Sequence, residues 1–532
     1  MFDYIIVGAG SAGCVLANRL TEDGRHQVLL IEAGGPDRDP RIRIPAAFSQ
    51  LFKTGLDWNY NTVPQDHMNG RAMYHPRGKM LGGCSNMNAM IYIRGHREDY
   101  NRWARVYQNS GWDWAGVAPY FLKLEQYLHP DTDPQQHGNQ GLQKIDRHTD
   151  PNPMTEIFLQ ACAAAGIPKV DHLNISDDPR AGYNVLTMLR GRRFGTADAY
   201  LHPAEHRPNL TVWKETTAHR LLLEKGRVVG LQFSRNGNEV QEVRCRREVI
   251  LSAGAFGSPQ ILMLSGIGPG ASLQQMGIPV EKDLPGVGQN LQDHLLGGLS
   301  WHCKNQVTLD GADRFPRVLS SVWKYLRHKK GPLSTNVAEA GGFVHSPYSD
   351  GRPDIQLYFG PAYFQDHGFD RRNTPHYSVG AALLYPESKG EIRLASKDPN
   401  DKVIIDPRYF SAPKDMEVYV AGMKLAQQIG NAAAFRPFND GLSLPQKPLE
   451  TNEDLENFIR AHAQTNYHPA GTCRMGAGPE AVVDHHLKVH GLDGLRVADA
   501  SIMPEITGGN IQAPVMMIAE KAADMIKKSN IT

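Results

Sequence analysis

Phe2-Asp3-Tyr4-Ile5-Ile6-Val7-Gly8-Ala9-Gly10-Ser11-Ala12-Gly13 opens the chain. Tyr4–Val7 is a short apolar run of the kind that forms a buried parallel strand. A glycine turn follows, then a helical pattern through Cys14, Val15, Leu16 and Leu20, and a second apolar run, Val28–Ile31, that ends at Glu32. Together these make a βαβ unit of about thirty residues. In Gly8-x-Gly10-x-x-Gly13 the first glycine permits a tight turn, the second lets backbone approach a pyrophosphate, and the third lets helix pack on strand. Ser11 and Ala12 then present the helix N-terminus, which favours phosphate charge. Glu32, nineteen residues past Gly13 and followed by Ala33, stands where an acid can accept ribose hydroxyls. A glycine turn without a ligand would not need the strand, the helix and the acid together. The motif admits NAD and FAD alike.

The rest of the chain bounds the setting. At 532 residues it is too long for one compact core, so two domains are expected. A hydrophobic content of 41% with 57 Lys+Arg against 56 Asp+Glu reads as globular, and the net charge of +1 gives no electrostatic reason to bind nucleic acid. The six cysteines are scattered without a CxxC pair, as expected of reduced thiols in a cytoplasmic protein. No signal peptide and no apolar run of membrane-spanning length is visible. No feature marks an oligomeric state.

Residues 35–75 are rich in proline and polar residues and show no period. Asp99–Leu128 reads as helical. Leu210–Trp213, Arg220–Glu224, Val228–Ser234 and Val240–Arg246 read as strands, with a turn at Asn236-Gly237-Asn238, and Val249-Ile250-Leu251 enters a further glycine turn. Ile355–Phe359 and Ile392–Leu394 read as strands of a different block. Near the C-terminus, Leu495–Val497 is a short strand running into Ala498-Asp499-Ala500. The pattern is that of a nucleotide-binding unit assembled from separate pieces, with a mostly antiparallel unit inserted.

Two further segments carry a family resemblance. Gly78-Lys79-Met80-Leu81-Gly82-Gly83-Cys84-Ser85-Asn86-Met87-Asn88 resembles the first signature of the glucose–methanol–choline (GMC) oxidoreductases, and Gly254-Ala255-Phe256-Gly257-Ser258-Pro259-Gln260-Ile261-Leu262-Met263-Leu264-Ser265-Gly266-Ile267-Gly268 their second. The likeness spans Asp3 to about Met525 and looks nearest the choline and aliphatic alcohol dehydrogenase branch, through Tyr92-Ile93-Arg94-Gly95-His96 and Asp99-Tyr100. It implies an α/β fold, α+β overall. A Rossmann-like FAD-binding domain (1–155, 195–300 and 460–532) would carry an inserted substrate-binding domain (156–194 and 301–459) built on an antiparallel sheet with helices. It also implies that FAD is held by Gly8, Gly10, Ser11, Ala12, Gly13, Glu32 and Ala33 of the first turn and by Gly78, Gly82, Gly83, Asn88, Ala89 and Met90 of the first signature. Ala218, Ala253, Asp499, Ala500 and Gln512 complete that set, Ala218 by a backbone contact to adenine and Asp499 at the ribityl chain. Some relatives tether the flavin through a histidine in the first signature; Met87 stands there, so non-covalent FAD is expected.

Tyr467-His468-Pro469-Ala470-Gly471-Thr472 resembles the family's active-site histidine segment, and Asn510 in Asn510-Ile511-Gln512-Ala513-Pro514 its second active-site residue. Alcohol oxidation needs the hydroxyl proton removed as hydride leaves carbon. A neutral histidine suits the first task and an amide can hold the alkoxide in line. The resemblance implies oxidation of a primary alcohol to the aldehyde, with oxygen or a quinone or dye as electron acceptor. Other readings within the family are a choline, aryl or furanic alcohol oxidase, or a hydroxynitrile lyase. Asn466, polar where some oxidases are apolar, favours a dehydrogenase. Trp58, Glu339, Tyr358 and Tyr467 are candidates for the substrate pocket. His485, His486 and His490 belong to a loop in relatives, and no metal site is expected. Leu319, Val322, Trp323 and Leu326, flanked by Lys324, Arg327, Lys329 and Lys330, read as a surface helix packing its stripe inward rather than as a membrane contact.

Overall fold

A computed structural model of the chain describes every residue except 130–132, 134, 175–176 and 530–532. The last three belong to the C-terminal segment assigned above to nucleotide binding, and they lie outside the described residues.

Five strands form a parallel array in the order Leu210–Trp213, Val28–Ile31, Phe2–Val7, Gln241–Leu251 and Leu495–Val497. The apolar side chains of Tyr4–Val7, Val28–Ile31, Val249–Leu251 and Leu495–Val497 are buried on both faces, as a sheet covered on both sides requires. The opening helix Ser11–Thr21 packs on this sheet beside the C-terminal helix Gln512–Lys528. In one respect the strand reading is corrected. Val240–Arg246 and Val249–Leu251 are not separate strands but one, Gln241–Leu251. Its first half pairs antiparallel with Arg227–Arg235 and its end pairs parallel with Phe2–Val7. The helical stretch Asp99–Leu128 is two helices, Arg97–Arg105 and Trp114–Leu124, parted around Gly111, which adopts a φ of +78°.

A second, antiparallel sheet runs in the order Asn439–Leu444, Leu295–Cys303, His376–Leu383, Ile355–Gly360, Ala340–Val344 and Arg180–Tyr183, with Gln464–Thr465 also paired to Leu295–Cys303. It therefore takes in residues on the nucleotide side of the borders drawn at 300 and 460. Conversely, Ile392, Leu394, Val403 and Ile405 pack into the core of the parallel sheet. The alternation of the strands explains how one sheet serves two purposes. Leu357, Val379 and Ala381 turn to a core shared with the helix Pro413–Gly430. Leu296, Gly298, Tyr358, Gly360, Ser378 and Gly380 turn the other way, into a cavity, where the glycines leave room.

The helix Arg317–His328 overturns the expected packing of its stripe. Ser321 and Tyr325 face inward, whereas Leu319, Val322, Trp323 and Leu326 are exposed.

Candidate active site

Three helices begin at the cavity. Each starts as the chain leaves the C-terminal side of a parallel strand: Ser11–Thr21 after Phe2–Val7, Gly254–Leu264 after Gln241–Leu251, and Gln512–Lys528 soon after Leu495–Val497. None is capped by its own N-cap side chain, and their positive ends face one space of about 370 Å³; the first amide of Gly254–Leu264 goes to Asp499, while those of the other two helices remain available. Gly8 adopts a φ of +99°, and a Cβ there would lie 2.5 Å from the Ser252 carbonyl oxygen. At Gly10 an added Cβ would meet nothing within 4 Å. The backbone is thus bare where a phosphate would approach.

The first-signature loop docks on this turn. Gly82 N–H donates to the Ala9 carbonyl at 2.8 Å, and a Cβ on Gly83 would come within 2.8 Å of Gly10 Cα. Glu32 accepts from Ala9 N–H at 2.9 Å and Gly34 N–H at 2.8 Å; burial pushes its carboxyl up to about 7. Among the residues expected to hold a cofactor, the cavity is lined by Gly8, Gly10, Ser11, Ala12, Glu32, Ala33, Gly78, Gly83, Asn88, Ala89, Met90, Ala218, Ala253, Asp499, Ala500 and Gln512. Gly13 and Gly82 are absent from it and serve packing instead: a Cβ at Gly13 would collide with the Gly8 carbonyl, and one at Gly82 with Asn86. Asp499 has its carboxylate engaged by Gly254 N–H, Ser258 Oγ, and the N–H and Oγ of Ser501. It ties the late strand to the second-signature helix, so its lone pairs are taken by protein donors. Gln512 Nε2 is buried without a partner while its Oε1 accepts from Asn88. Bare glycine backbone, uncapped helix ends, an acid beside the turn and an orphaned amide all fit a dinucleotide such as FAD.

The catalytic candidates meet at the other end. Asn510 Nδ2 donates to His468 Nε2 at 3.2 Å, and His468 Nδ1 lies 2.9 Å from Nδ1 of His294. With Nε2 accepting, the ring proton sits on Nδ1 and goes to His294, itself held neutral as burial pushes it down to about 3. Burial, then the neighbouring His294 and Arg77, hold His468 well below the ordinary histidine range. Asn510 Oδ1 accepts from Gln356 Nε2 at 3.1 Å, Gln356 Oε1 from Tyr358 OH at 2.8 Å, and the Tyr358 oxygen from Asn466 Nδ2 at 2.8 Å. One hydrogen-bonded string thus runs from His294 to Asn466, passing through Nε2 of His468, which acts in it as an acceptor.

The loop bearing His468 is clamped from below. Asp293 Oδ1 accepts the His468 N–H at 2.8 Å, and its Oδ2 accepts from Tyr409 OH at 2.6 Å and Thr465 Oγ1 at 2.5 Å. Arg77 donates to the Tyr467 carbonyl at 2.6 Å, which holds Tyr467 at a φ of +67°. A buried Arg193 holds the first signature, donating to the Ser85 carbonyl at 3.0 Å and Asn88 Oδ1 at 2.7 Å. Asp293, His294, Gln356, Arg77 and Arg193 escape sequence reading, because no spacing or period marks them.

Of the substrate candidates, Tyr358 and Tyr467 line the cavity near His468. Trp58 lines it too, stacked on Tyr60 under Lys79, whose backbone abuts Gly34; that ties it to the Glu32 end. Glu339 is corrected. It is fully buried outside the cavity wall, accepting from Asn152 N–H, Thr155 Oγ1 and Thr335 Oγ1, each at 2.7 Å. It joins loops and faces no substrate. Glu32, Arg77 and Asp499 are the charged side chains lining the cavity, and Phe48, Phe52, Met87 and Phe364 make its apolar wall beside Tyr467.

His490 spends Nε2 on the Gly476 carbonyl. Among the described residues one trio, Asp37, Asp198 and His202, brings potential metal ligands together, but Arg43 pairs with both carboxylates at 2.7 and 2.9 Å and supplies the positive charge itself.

A dinucleotide cradle opening onto a histidine–asparagine pair defines a cofactor-dependent oxidoreductase. The sequence models of the GMC oxidoreductases match residues 2–296 and 386–519, and the chain belongs to that family of FAD-dependent enzymes acting on CH–OH groups. It is 41% identical to an alcohol dehydrogenase [acceptor] of Pseudomonas putida, over 99% of this chain and 96% of that one. It is also 41% identical to the mitochondrial choline dehydrogenase of Mus musculus, over 99% and 89%. The crystal structure of pyridoxine 4-oxidase from Mesorbium loti superposes with a TM-score of 0.90 at 33% identity, covering 99% of both chains.

Proposed function

We propose that the protein oxidises an uncharged primary alcohol to its aldehyde, with FAD bound non-covalently. The observation that carries this reading is the meeting of His468 Nε2 and Asn510 Nδ2 at 3.2 Å, in a cavity whose acids are both on the cofactor side. FAD, when bound, supplies the hydride acceptor. Nε2 of His468 takes the hydroxyl proton, and Asn510 donates to the alcohol oxygen as negative charge grows on it. Gln356 holds the Asn510 amide the right way round. A quaternary ammonium substrate such as choline would find aromatic faces but no acid lining the cavity at the His468 end, since Asp293 lies behind the loop and Glu339 is turned away.

The experiment is anaerobic mixing of the holoenzyme with straight-chain primary alcohols and with choline, followed at the oxidised flavin band. Bleaching by the alcohols at lower concentration than by choline is expected; preferential bleaching by choline would reverse the substrate reading. Asn466, held by Tyr358, supports a dehydrogenase over an oxidase. Accordingly, little peroxide and fast dye reduction should accompany turnover in air.

Met87 is buried among Ile42, Phe48, Phe52 and Met80 in the cavity wall and offers no group able to tether a flavin. Acid precipitation should therefore release all the yellow colour into the supernatant. Flavin retained by the pellet would refute non-covalent binding.

A further inference from the structure

The helix Arg317–His328 is fastened to the protein along one side. Ser321 Oγ donates to the Ala312 carbonyl at 2.9 Å, and Tyr325 OH to the Arg43 carbonyl at 3.1 Å. The opposite side is apolar and open. Leu319, Trp323 and Leu326 are 62%, 61% and 67% exposed, Val322 lies between them, and Phe315 just before the helix is 82% exposed. Among the described residues these are five of the ten exposed large hydrophobic side chains, gathered in a twelve-residue window. Their spacing at 319, 322, 323 and 326 puts them on one face, away from Tyr325. A stripe of this kind is ordinarily the buried side of a surface helix, so its outward turn calls for something to cover it.

Charge says what. Between residues 314 and 330 stand Arg314, Arg317, Lys324, Arg327, Lys329 and Lys330, with no Asp or Glu among them, in a chain whose net charge is +1. None of the six forms an ion pair with a carboxylate among the described residues. At 100° per residue, Arg327 borders the apolar face on the edge remote from the core, and Lys324 follows about 60° further round, on the exposed flank of the helix. A helix lying in a bilayer interface has this arrangement: apolar side chains, Trp included, below the headgroups and cations level with anionic lipid. With 12 residues the helix is too short to cross, and no helix of the described residues is long and apolar enough to do so.

We propose that Phe315–Lys330 docks this protein on the surface of an anionic lipid bilayer. The segment is tied to the active-site cavity. Beyond the turn at Gly331 the chain becomes cavity wall at Asn336, Val337 and Ala338, and Asn336 Nδ2 donates to the Ala89 carbonyl at 2.7 Å. The proposal rests on the outer surface alone and stands whether or not the alcohol chemistry above does.

The test is co-sedimentation of the flavin-loaded protein with vesicles of phosphatidylcholine mixed with phosphatidylglycerol, and with vesicles of phosphatidylcholine alone. Binding to the mixed vesicles, weaker on pure phosphatidylcholine and weakened by salt, is expected. The triple variant Leu319→Ser, Trp323→Ser, Leu326→Ser should lower the partition coefficient about tenfold or more. Lys324→Glu with Arg327→Glu should remove the preference for anionic vesicles. Both variants should keep their flavin and the wild-type rate of flavin reduction in vesicle-free buffer, which shows an intact fold. Wild-type protein that stays in the supernatant, or a triple variant that sediments as well as wild type, overturns the proposal. So does a wild-type dimer that the triple variant turns into a monomer while neither binds vesicles, which would make the stripe a self-association face.

Discussion

Replacing His468 with alanine is expected to slow anaerobic reduction of the flavin by alcohol by about 10²–10⁴-fold, the usual contribution of a general base, while FAD stays bound. The reasons are local. His468 Nε2 is the hydrogen-bond acceptor facing Asn510, and no other histidine side chain takes part in that contact. The clamp from Asp293 reaches the backbone N–H of residue 468, so the variant keeps the loop in place. The cofactor cradle is built from other elements, and the absorbance ratio of flavin to protein should match wild type. A variant that reduces flavin at the wild-type rate would remove His468 from the chemistry. The pH profile adds a second readout. Because burial holds the folded pKa well below the ordinary histidine value of about 6.5, the ring is neutral and able to accept throughout the neutral range. Stopped-flow reduction rates should therefore stay flat on descending through pH 6.5 and fall only in more acidic buffer, where Nε2 becomes protonated. A midpoint near 6.5 would mean an exposed, ordinary histidine. His294→Phe should slow reduction less than His468→Ala, since it removes the acceptor that fixes the tautomer but leaves the base.

That pair shows what a linear chain discloses and what it hides. The opening βαβ unit was legible because its residues are neighbours: alternation, turn and helix all fall within thirty residues and follow from local sterics. His468 and Asn510 were legible only through the resemblance of their segments, since a lone histidine before proline and a lone asparagine carry no signal. Their supports were not legible at all. Asp293 reaches His468 across 175 residues and Gln356 reaches Asn510 across 154, and nothing in the intervening sequence encodes the meeting. Glu339 misled for the opposite reason. A buried acid among small residues looks the same in sequence whether it awaits a cation or, as here, satisfies two hydroxyls and an amide. The strand Gln241–Leu251 reads as two in sequence because its charged first half and apolar second half differ in surroundings, not in conformation. The sequence marks the helix Arg317–His328 as amphipathic, but a period fixes only that one face is apolar. Which face meets the protein is decided by Tyr325 and Ser321, whose hydrogen-bond partners are elsewhere.

Gly13→Val is expected to have the other large effect: loss of FAD together with a clear loss of thermal stability. A Cβ at residue 13 would overlap the carbonyl oxygen of Gly8, which is backbone and cannot rotate away. Relief requires the helix Ser11–Thr21 to lift off the strand Phe2–Val7, and overpacking of this kind costs about 1–3 kcal/mol or more. The lift would move the helix N-terminus away from the turn at Gly8 and Gly10. It would also break the seat of Gly82 on the Ala9 carbonyl, so two parts of the cradle would fail together. Valine adds no charge and no polar group, so the cost is one of shape alone. Gly24→Ala is the control. Its φ of +74° strains alanine, but no atom lies within 4 Å of the new Cβ. It should lower the melting temperature modestly and leave the flavin content unchanged. A Gly13→Val protein that purifies yellow, with its full flavin-to-protein ratio, would show that close packing of this helix on its strand does not govern how the cofactor is held.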